Sequence, residues 1–341
     1  MKPPSRHLKL GLVNDNAVSC EAIRRLVATR DGYQLLWTAY DGAEAVEYCR
    51  TNPPDVVLMD VVMPRMDGVE ATREIVATTE CAVLLVTWSI PRNTSKVFEA
   101  MGAGALDVVT TPSMGNLEEI DTFFRKIEQI KTLRAPMAMP PRVQAAAPAT
   151  EARSAQKLIL LGASAGGPAA LAEILSGLDA TLPTGIVIAQ HMDVRFGDDF
   201  ISWLGDQTAW PVRKAQAGDA VTNGLVLVAG AEHHLVFRPG NRLHFTDQPA
   251  FAYIPSVNVL FSSAAEHWKG SLAAALLTGM GSDGAEGLKQ LRQAGHLTIA
   301  QDEASCALFG MPKAAAAIGA AREILPLNRI VDRLAGFSLS N

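Results

Sequence analysis

The sequence predicts an α/β protein of two units, and three observations carry that prediction. In the first part, short apolar runs alternate with helix-type stretches, the pattern of a parallel sheet covered on both faces. Thr132 to Gln156 then reads TLRAPMAMPPRVQAAAPATEARSAQ, with Pro136, Pro140, Pro141 and Pro148 and no aromatic residue. Beyond it the alternation resumes, with glycine-rich turns after apolar strands. The middle segment reads as a semi-extended linker, because proline removes backbone donors and favours extended geometry. It leaves pieces of roughly 130 and 185 residues, both ordinary domain sizes. The expected organisation is residues 1–131, a linker over 132–156, and a second domain over 157–341.

In the first domain the expected strands are Leu8–Val13, Tyr33–Trp37, Asp55–Met59, Ala82–Thr87 and Ala105–Thr110. The expected helices are Ser19–Arg30, Ala43–Arg50, Val69–Ala77, Thr94–Met101 and Leu117–Leu133. Ligands of such sheets bind at the carboxyl ends of the strands, which places Asn14-Asp15, Asp60, Thr87 and Thr111-Pro112 there. In the second domain Lys157–Leu161, Gly185–Ala189, Leu272–Leu277 and Leu297–Gln301 read as buried strands. Pro168–Ser176 opens a helix with proline near its first turn, followed later by helices at Ser256–Glu266, Gly284–Ala294 and Met311–Ala321. Val221–Ala229, His234–Phe237 and Arg242–Phe245 read as antiparallel pieces joined by a Gly-Pro-Asn type of turn. The expectation is a mainly parallel sheet with a small antiparallel insertion.

Composition narrows the function classes. Thirty Lys and Arg against 35 Asp and Glu give a net charge of −5, which argues against a generic nucleic-acid binder. The four cysteines, Cys20, Cys49, Cys81 and Cys306, form no CxxC pair, so reduced thiols are the simple reading. No apolar run approaches the ~18 residues of a membrane span. The start of the chain meets Asn14 and Asp15 too soon for a signal peptide, and a cytoplasmic location follows as the expectation.

Asp15 and Asp60 are expected to meet at the edge of adjacent strands. Clustered oxygen ligands suit Mg²⁺, and a carboxylate beside that ion can attack a phosphoryl group. Each acid alone reads equally well as a solvated loop residue. The combination GLVNDN (11–16), DVVLMDVVMPRMDG (55–68), VTWS (86–89) and GAGALDVVTTPS (102–113) resembles the receiver domain of two-component response regulators over residues 6–130. The resemblance implies a (βα)5 receiver with Asp60 as phosphoacceptor, Asp15, Asp60 and the Val62 carbonyl as Mg²⁺ ligands, and Thr87 as the hydroxyl that meets the phosphoryl group. Two positions depart from the pattern. Asn14 stands where receivers carry a first acid, and Thr111 stands where they carry lysine.

In KLILLGASAGGP (157–168) a buried strand runs into a glycine-rich turn and a helix, which exposes the Ser164 hydroxyl near free backbone N–H groups. A dinucleotide fingerprint would need glycine at position 164. A serine nucleophile needs a base, and of the seven histidines His191 directly follows the strand 185–190. His233 and His234 are adjacent and point apart, a poor metal pair. Asp283, in the glycine-rich turn of LLTGMGSDGAEG (276–287), reads either as a helix N-cap or as the acid that orients the histidine.

LGASAGGPAAL (161–171), IVIAQHM (186–192), IPSVNVLF (254–261), LLTGMGSDGAEGL (276–288) and AQDEASCALFGMPKAA (300–315) are similar to the catalytic domain of the CheB family of chemotaxis protein-glutamate methylesterases. A receiver joined by a linker to this domain is the family's architecture. The resemblance implies Ser164 as nucleophile, His191 as general base, Asp283 as its orienting acid and the Met280 N–H as an oxyanion donor. It also implies hydrolysis of glutamyl γ-methyl esters on chemoreceptors, deamidation of receptor glutamines, and no cofactor for the esterase reaction. The implied partners are the cytoplasmic helices of methyl-accepting chemoreceptors and a CheA-type histidine kinase, with no nucleic acid and no insertion into the membrane. Ala165, Ile254 and Asn258 stand where the family commonly has Thr, Arg and Asp. The VND start and the missing receiver lysine resemble Wsp-type surface-sensing members. A non-catalytic signalling module and a stand-alone small-ester hydrolase are the alternative functions.

Overall fold

The computed structural model describes residues 7–87, 94–113, 115–131, 154–250 and 253–340. It divides into two compact units, Met1–Met139 and Pro140–Asn341. Trp88 and Ser89 of the VTWS motif and residues 132–153 of the linker lie outside the described residues.

The first unit alternates β1 (Leu8–Val13), α1 (Ala17–Ala28), β2 (Tyr33–Ala39), α2 (Gly42–Thr51), β3 (Val56–Met59), α3 (Gly68–Thr78), β4 (Ala82–Thr87), α4 (Thr94–Gly102), β5 (Asp107–Thr110) and α5 (Leu117–Ile130). The sheet is wholly parallel in the order β2-β1-β3-β4-β5. Strands β3 and β4 are buried along their whole length, which explains their unbroken Val, Leu and Met runs. The helices start on side-chain caps: Asn16, Asp41, Asp67 and Asn116 each accept backbone N–H groups of the first turn. Because β1 and β3 are neighbours, their carboxyl ends place residues 14 and 15 beside Asp60.

The second unit contains β6 (Lys157–Ala163), α6 (Gly167–Gly177), β7 (Gly185–Gln190), α7 (Gly197–Asp206), β8 (Val212–Lys214), β9 (Val226–Val228), β10 (His234–Arg238), β11 (Arg242–Thr246), α8 (Val257–His267), β12 (Ser271–Leu276), α9 (Ala285–Gln293), β13 (Leu297–Gln301), α10 (Met311–Ala317), β14 (Glu323–Leu325) and α11 (Leu327–Leu339). Seven of these strands form a parallel sheet in the order β14-β13-β12-β6-β7-β9-β8. The packing of this unit begins at Ser154: that residue bridges to Thr222, and buried Ala155 donates its N–H to Val221.

Among the described residues, the two-stranded antiparallel insertion is made of β10 and β11. The segment 221–229, expected there, instead supplies β9 to the main sheet, parallel to both β7 and β8. The chain from β7 to β9 passes through α7 and β8, long enough for the crossover a parallel neighbour requires. Strands β8 and β14 are three residues each, too short for a periodic signal. Among the described residues, all four cysteines are free and buried, and no helix is long and apolar enough to cross a membrane.

Candidate active site

Ser164 is the first residue after β6, at the junction with α6. Gly166 caps that helix at φ 72°, and Pro168 fills its first turn. A Cβ on Gly166 would run into the Ala307 side chain, so the turn needs glycine for both space and conformation. Residue pairing then sets the neighbours. Ala163 of β6 stands opposite Gln190 of β7, which makes Ser164 and His191 the next pair out from the sheet edge. The His191 N–H donates to the Ala163 carbonyl at 3.0 Å. Gln190, 4% exposed, ties the two junctions together: its Nε2 donates to the carbonyls of Ser164 and of His191, both at 2.8 Å. On the other side the Ser164 N–H donates to Thr278 beyond β12, and a Cβ on Gly279 would lie 2.6 Å from that of Ser164. Three parallel strands, β12, β6 and β7, thus deliver residues 278–283, Ser164 and His191 to one edge.

His191 Nε2 donates to Asp283 Oδ2 at 2.7 Å. Its other ring nitrogen, Nδ1, is buried without a hydrogen-bond partner. A neutral imidazole with its proton on Nε2 therefore presents the Nδ1 lone pair as a base. Ser164 Oγ makes no hydrogen bond with His191 among the described residues.

Asp283 is held from a direction that the sequence left open. Its Oδ1 accepts from Ser256 Oγ at 2.8 Å and from the Asn258 N–H at 3.0 Å. Its Oδ2 accepts from the Val257 N–H at 2.6 Å. The carboxylate therefore caps a helix N-terminus, that of α8. The turn at Gly284 (φ 87°) begins its own helix, α9, without a side-chain cap. Burial opposes the charge on Asp283, but the His191 hydrogen bond and the N–H groups of Asn258 and Val257 outweigh it and lower the pKa. Asn258 contributes its backbone to this clasp. Its side chain reaches elsewhere, accepting the Gly287 N–H at 2.9 Å and tying α8 to α9.

Ser256 is anchored in turn. Its N–H donates to Nδ1 of fully buried His234 at 2.9 Å, and His234 Nε2 donates to the Pro249 carbonyl at 3.1 Å. Exposed His233 pairs with Asp247. Sequence reasoning did not single out Gln190, Tyr253, Ser256 or His234 for the site. The available signal was a serine just before an apolar helical run, the mark of an N-cap, and Ser256 does cap α8 through the Val259 N–H.

The N–H groups of Ala165 and Met280 donate to no acceptor among the described residues. The first belongs to the residue after Ser164, and the second to the residue after Gly279, which packs on Ser164. Two free donors beside a hydroxyl are suited to an oxyanion. The Met280 side chain is 36% exposed.

In the first unit Asp60 follows β3, and Gly68 packs on its backbone so closely that a Cβ there would meet the Asp60 carbonyl. Burial pushes the Asp60 pKa up to about 6, opposed by the Val61 and Val62 N–H groups and reinforced by the Asp15 charge. Asn14 is buried, and its side-chain oxygen accepts the Asn16 N–H at 2.8 Å. That bond turns the amide nitrogen to Asp60, where Nδ2 donates to Oδ2 at 2.8 Å. The amide nitrogen, not the oxygen, thus faces the acid. Asp15 is exposed, Val62 is 40% exposed, and Thr87 is buried at the end of β4. The Thr111 N–H donates to the Thr87 carbonyl, and Thr111 Oγ1 is buried without a partner.

Residues 159–334 match the CheB methylesterase family profile, and residues 10–121 match that of the response regulator receiver domain. A Pseudomonas putida protein named protein-glutamate methylesterase/protein-glutamine glutaminase of group 3 operon is 48% identical over 334 residues, 97% of this chain and 99% of that one. A Burkholderia lata protein named protein-glutamate methylesterase/protein-glutamine glutaminase 1 is 49% identical over 336 residues, again 97% and 99%. Among solved structures, the CheB methylesterase catalytic domain of Thermotoga maritima aligns with a TM-score of 0.50 at 32% identity, covering 53% of this chain and 97% of that one.

Proposed function

The chain belongs to the CheB methylesterase family, and from that membership we propose that it hydrolyses glutamyl γ-methyl esters of chemoreceptors to glutamate and methanol under control of receiver phosphorylation. It also deamidates receptor glutamines, an activity its relatives carry in their names. Its partners are the cytoplasmic helices of chemoreceptors and a CheA-type histidine kinase that phosphorylates the receiver. The observation that carries the catalytic reading is the His191 ring, bonded to Asp283 through Nε2 with Nδ1 buried and unpartnered, on the residue that follows β7 as Ser164 follows the neighbouring β6.

In this reading the Ser164 hydroxyl attacks the ester carbonyl while Nδ1 of His191 takes its proton. Asp283 holds the ring in the required tautomer and stabilises the imidazolium that forms. The oxyanion is received by the N–H groups of Met280 and Ala165, worth a few kcal/mol of barrier in comparable sites. His191 returns the proton to the departing methoxide, and methanol leaves. Water then gives its proton to His191 as it attacks the acyl-serine, and collapse of the second tetrahedral state releases glutamate while His191 returns the proton to Ser164 Oγ. With a glutamine the same steps release ammonia.

In the receiver, Asp60 attacks the phosphoryl group of the kinase. Two carboxylates, Asp15 and Asp60, with the Val62 carbonyl suit Mg²⁺, so these residues would hold the ion, which neutralises the incoming charge when bound. Asn14 Oδ1 accepts the Asn16 N–H and its amide nitrogen faces Asp60. Methanol release from methylated receptor membranes tests the catalytic assignment. Ser164→Ala is expected to lose at least about 10³-fold in kcat; near-normal release would end it.

A further inference from the structure

The residue that covers the base is Tyr253. Its ring stacks on the His191 imidazole with centroids 4.8 Å apart and planes 9° from parallel. The His191 side chain is 6% exposed whereas Tyr253 is 40% exposed, so the phenol lies between the imidazole and solvent. A hydrogen bond to Asp283 fixes one edge of the imidazole but leaves the ring free to swing about the Nε2–Oδ2 direction. A parallel ring against one face removes that freedom. Asp283 itself cannot follow such a swing, because Ser256, Val257 and Asn258 hold both its oxygens. The tyrosine sits three residues before Ser256, on the segment that leads into the cap of α8. One short stretch of chain therefore fixes both the acid and the face of the base.

We propose that Tyr253 is a positioning residue of the hydrolytic site: its ring, rather than its hydroxyl, locks His191 in the plane where Nε2 meets Asp283 and Nδ1 is presented to Ser164. The proposal rests on the Ser, His, Asp reading given above. A misplaced base slows the chemical step more than substrate binding, and the flat face of a phenyl ring does the same work as that of a phenol.

The test compares full-length wild type with Tyr253→Phe, Tyr253→Leu and Tyr253→Ala, using methylated receptor membranes and phosphodonor. Tyr253→Phe is expected to stay within about twofold of wild type. The Leu and Ala variants are expected to lose roughly tenfold in kcat with little change in KM. Nitrogen-15 NMR of the His191 ring adds a readout that a simple loss of packing would not move. The wild type and Tyr253→Phe should show one neutral tautomer protonated at Nε2, and the Leu and Ala variants an averaged signal. Wild-type kcat and tautomer in Tyr253→Ala, a rise in KM alone, or failure of Tyr253→Phe to retain activity would each overturn the proposal. Ser164→Ala runs in parallel: if it stays active, the triad reading falls and takes this proposal with it, whereas an inactive Ser164→Ala beside a normal Tyr253→Ala removes this proposal alone.

Discussion

At the scale of single residues, the chemistry depends on which atom of a side chain is already engaged. His191 gives Nε2 to Asp283 and keeps Nδ1, and Asn14 gives its oxygen to Asn16 and its N–H to Asp60. Neither choice is encoded in the residue type. Asp283 has its pKa lowered, so the stability it contributes is present in full above the unfolded carboxylate value near ~3.9. It is lost as pH falls through the lower folded value. Asp283→Asn is therefore expected to unfold at a lower temperature than wild type at pH 7, with the gap closing below about pH 4 in calorimetry. At neutral pH the same variant should lose on the order of 10³–10⁴ in kcat, because an amide no longer enforces the tautomer. In the receiver, Asn14→Asp replaces a donor to Asp60 with a ligand for the cation. The Mg²⁺ needed for half-maximal labelling of Asp60 should fall by about an order of magnitude. Thr111→Lys should raise the ratio of phosphorylated to unphosphorylated esterase rates, since a charged donor would replace an unpartnered hydroxyl. No change in either quantity would mean that these two departures do not weaken the receiver.

At the scale of elements, the site is made of ends: three strand termini and two helix N-termini. The sharp turn from β6 to α6 is possible because Gly166 adopts φ 72° against Ala307. Gly166→Ala combines an unfavourable left-handed conformation with a steric conflict, so it should cost at least about 1–3 kcal/mol in urea unfolding of the catalytic unit. It should also displace Ser164 and reduce methanol release; unchanged stability would show that the turn relaxes freely. The N-terminus of α8 has a double use. Ser256 caps it through the Val259 N–H, and the next two N–H groups serve Asp283. The clasp does not depend on the side chain of Asn258, because its backbone N–H makes the bond to Asp283.

At the scale of the whole molecule, a receiver domain and a methylesterase domain in one chain suit the proposed control of hydrolysis at Ser164 by phosphorylation of Asp60. Phosphodonor is expected to raise methanol release by the full-length protein and to leave a fragment of residues 154–341 unchanged. The fragment starts at Ser154 because Ser154 and Ala155 already pack with the catalytic unit. Equal responses of the two would remove the receiver as the regulator. Much of the fold was legible in the sequence, in the strand runs and the glycine turns, because each reflects a local rule of backbone geometry or burial. Ser164, His191, Asp283 and Asp60 could be named as candidates because each sits at the end of an apolar strand or in the turn that follows one. The partners of β9 are not legible in its three apolar residues, because they depend on where the long connection from β7 through α7 and β8 returns the chain to the sheet. The engagement of His191 by Nε2, the cap of α8 closing on Asp283, the bracing of Ser256 by buried His234 and the stacking of Tyr253 were decided only in the tertiary structure. Each joins residues from different elements, and their meeting depends on distances and orientations that residue types and short-range spacing do not contain.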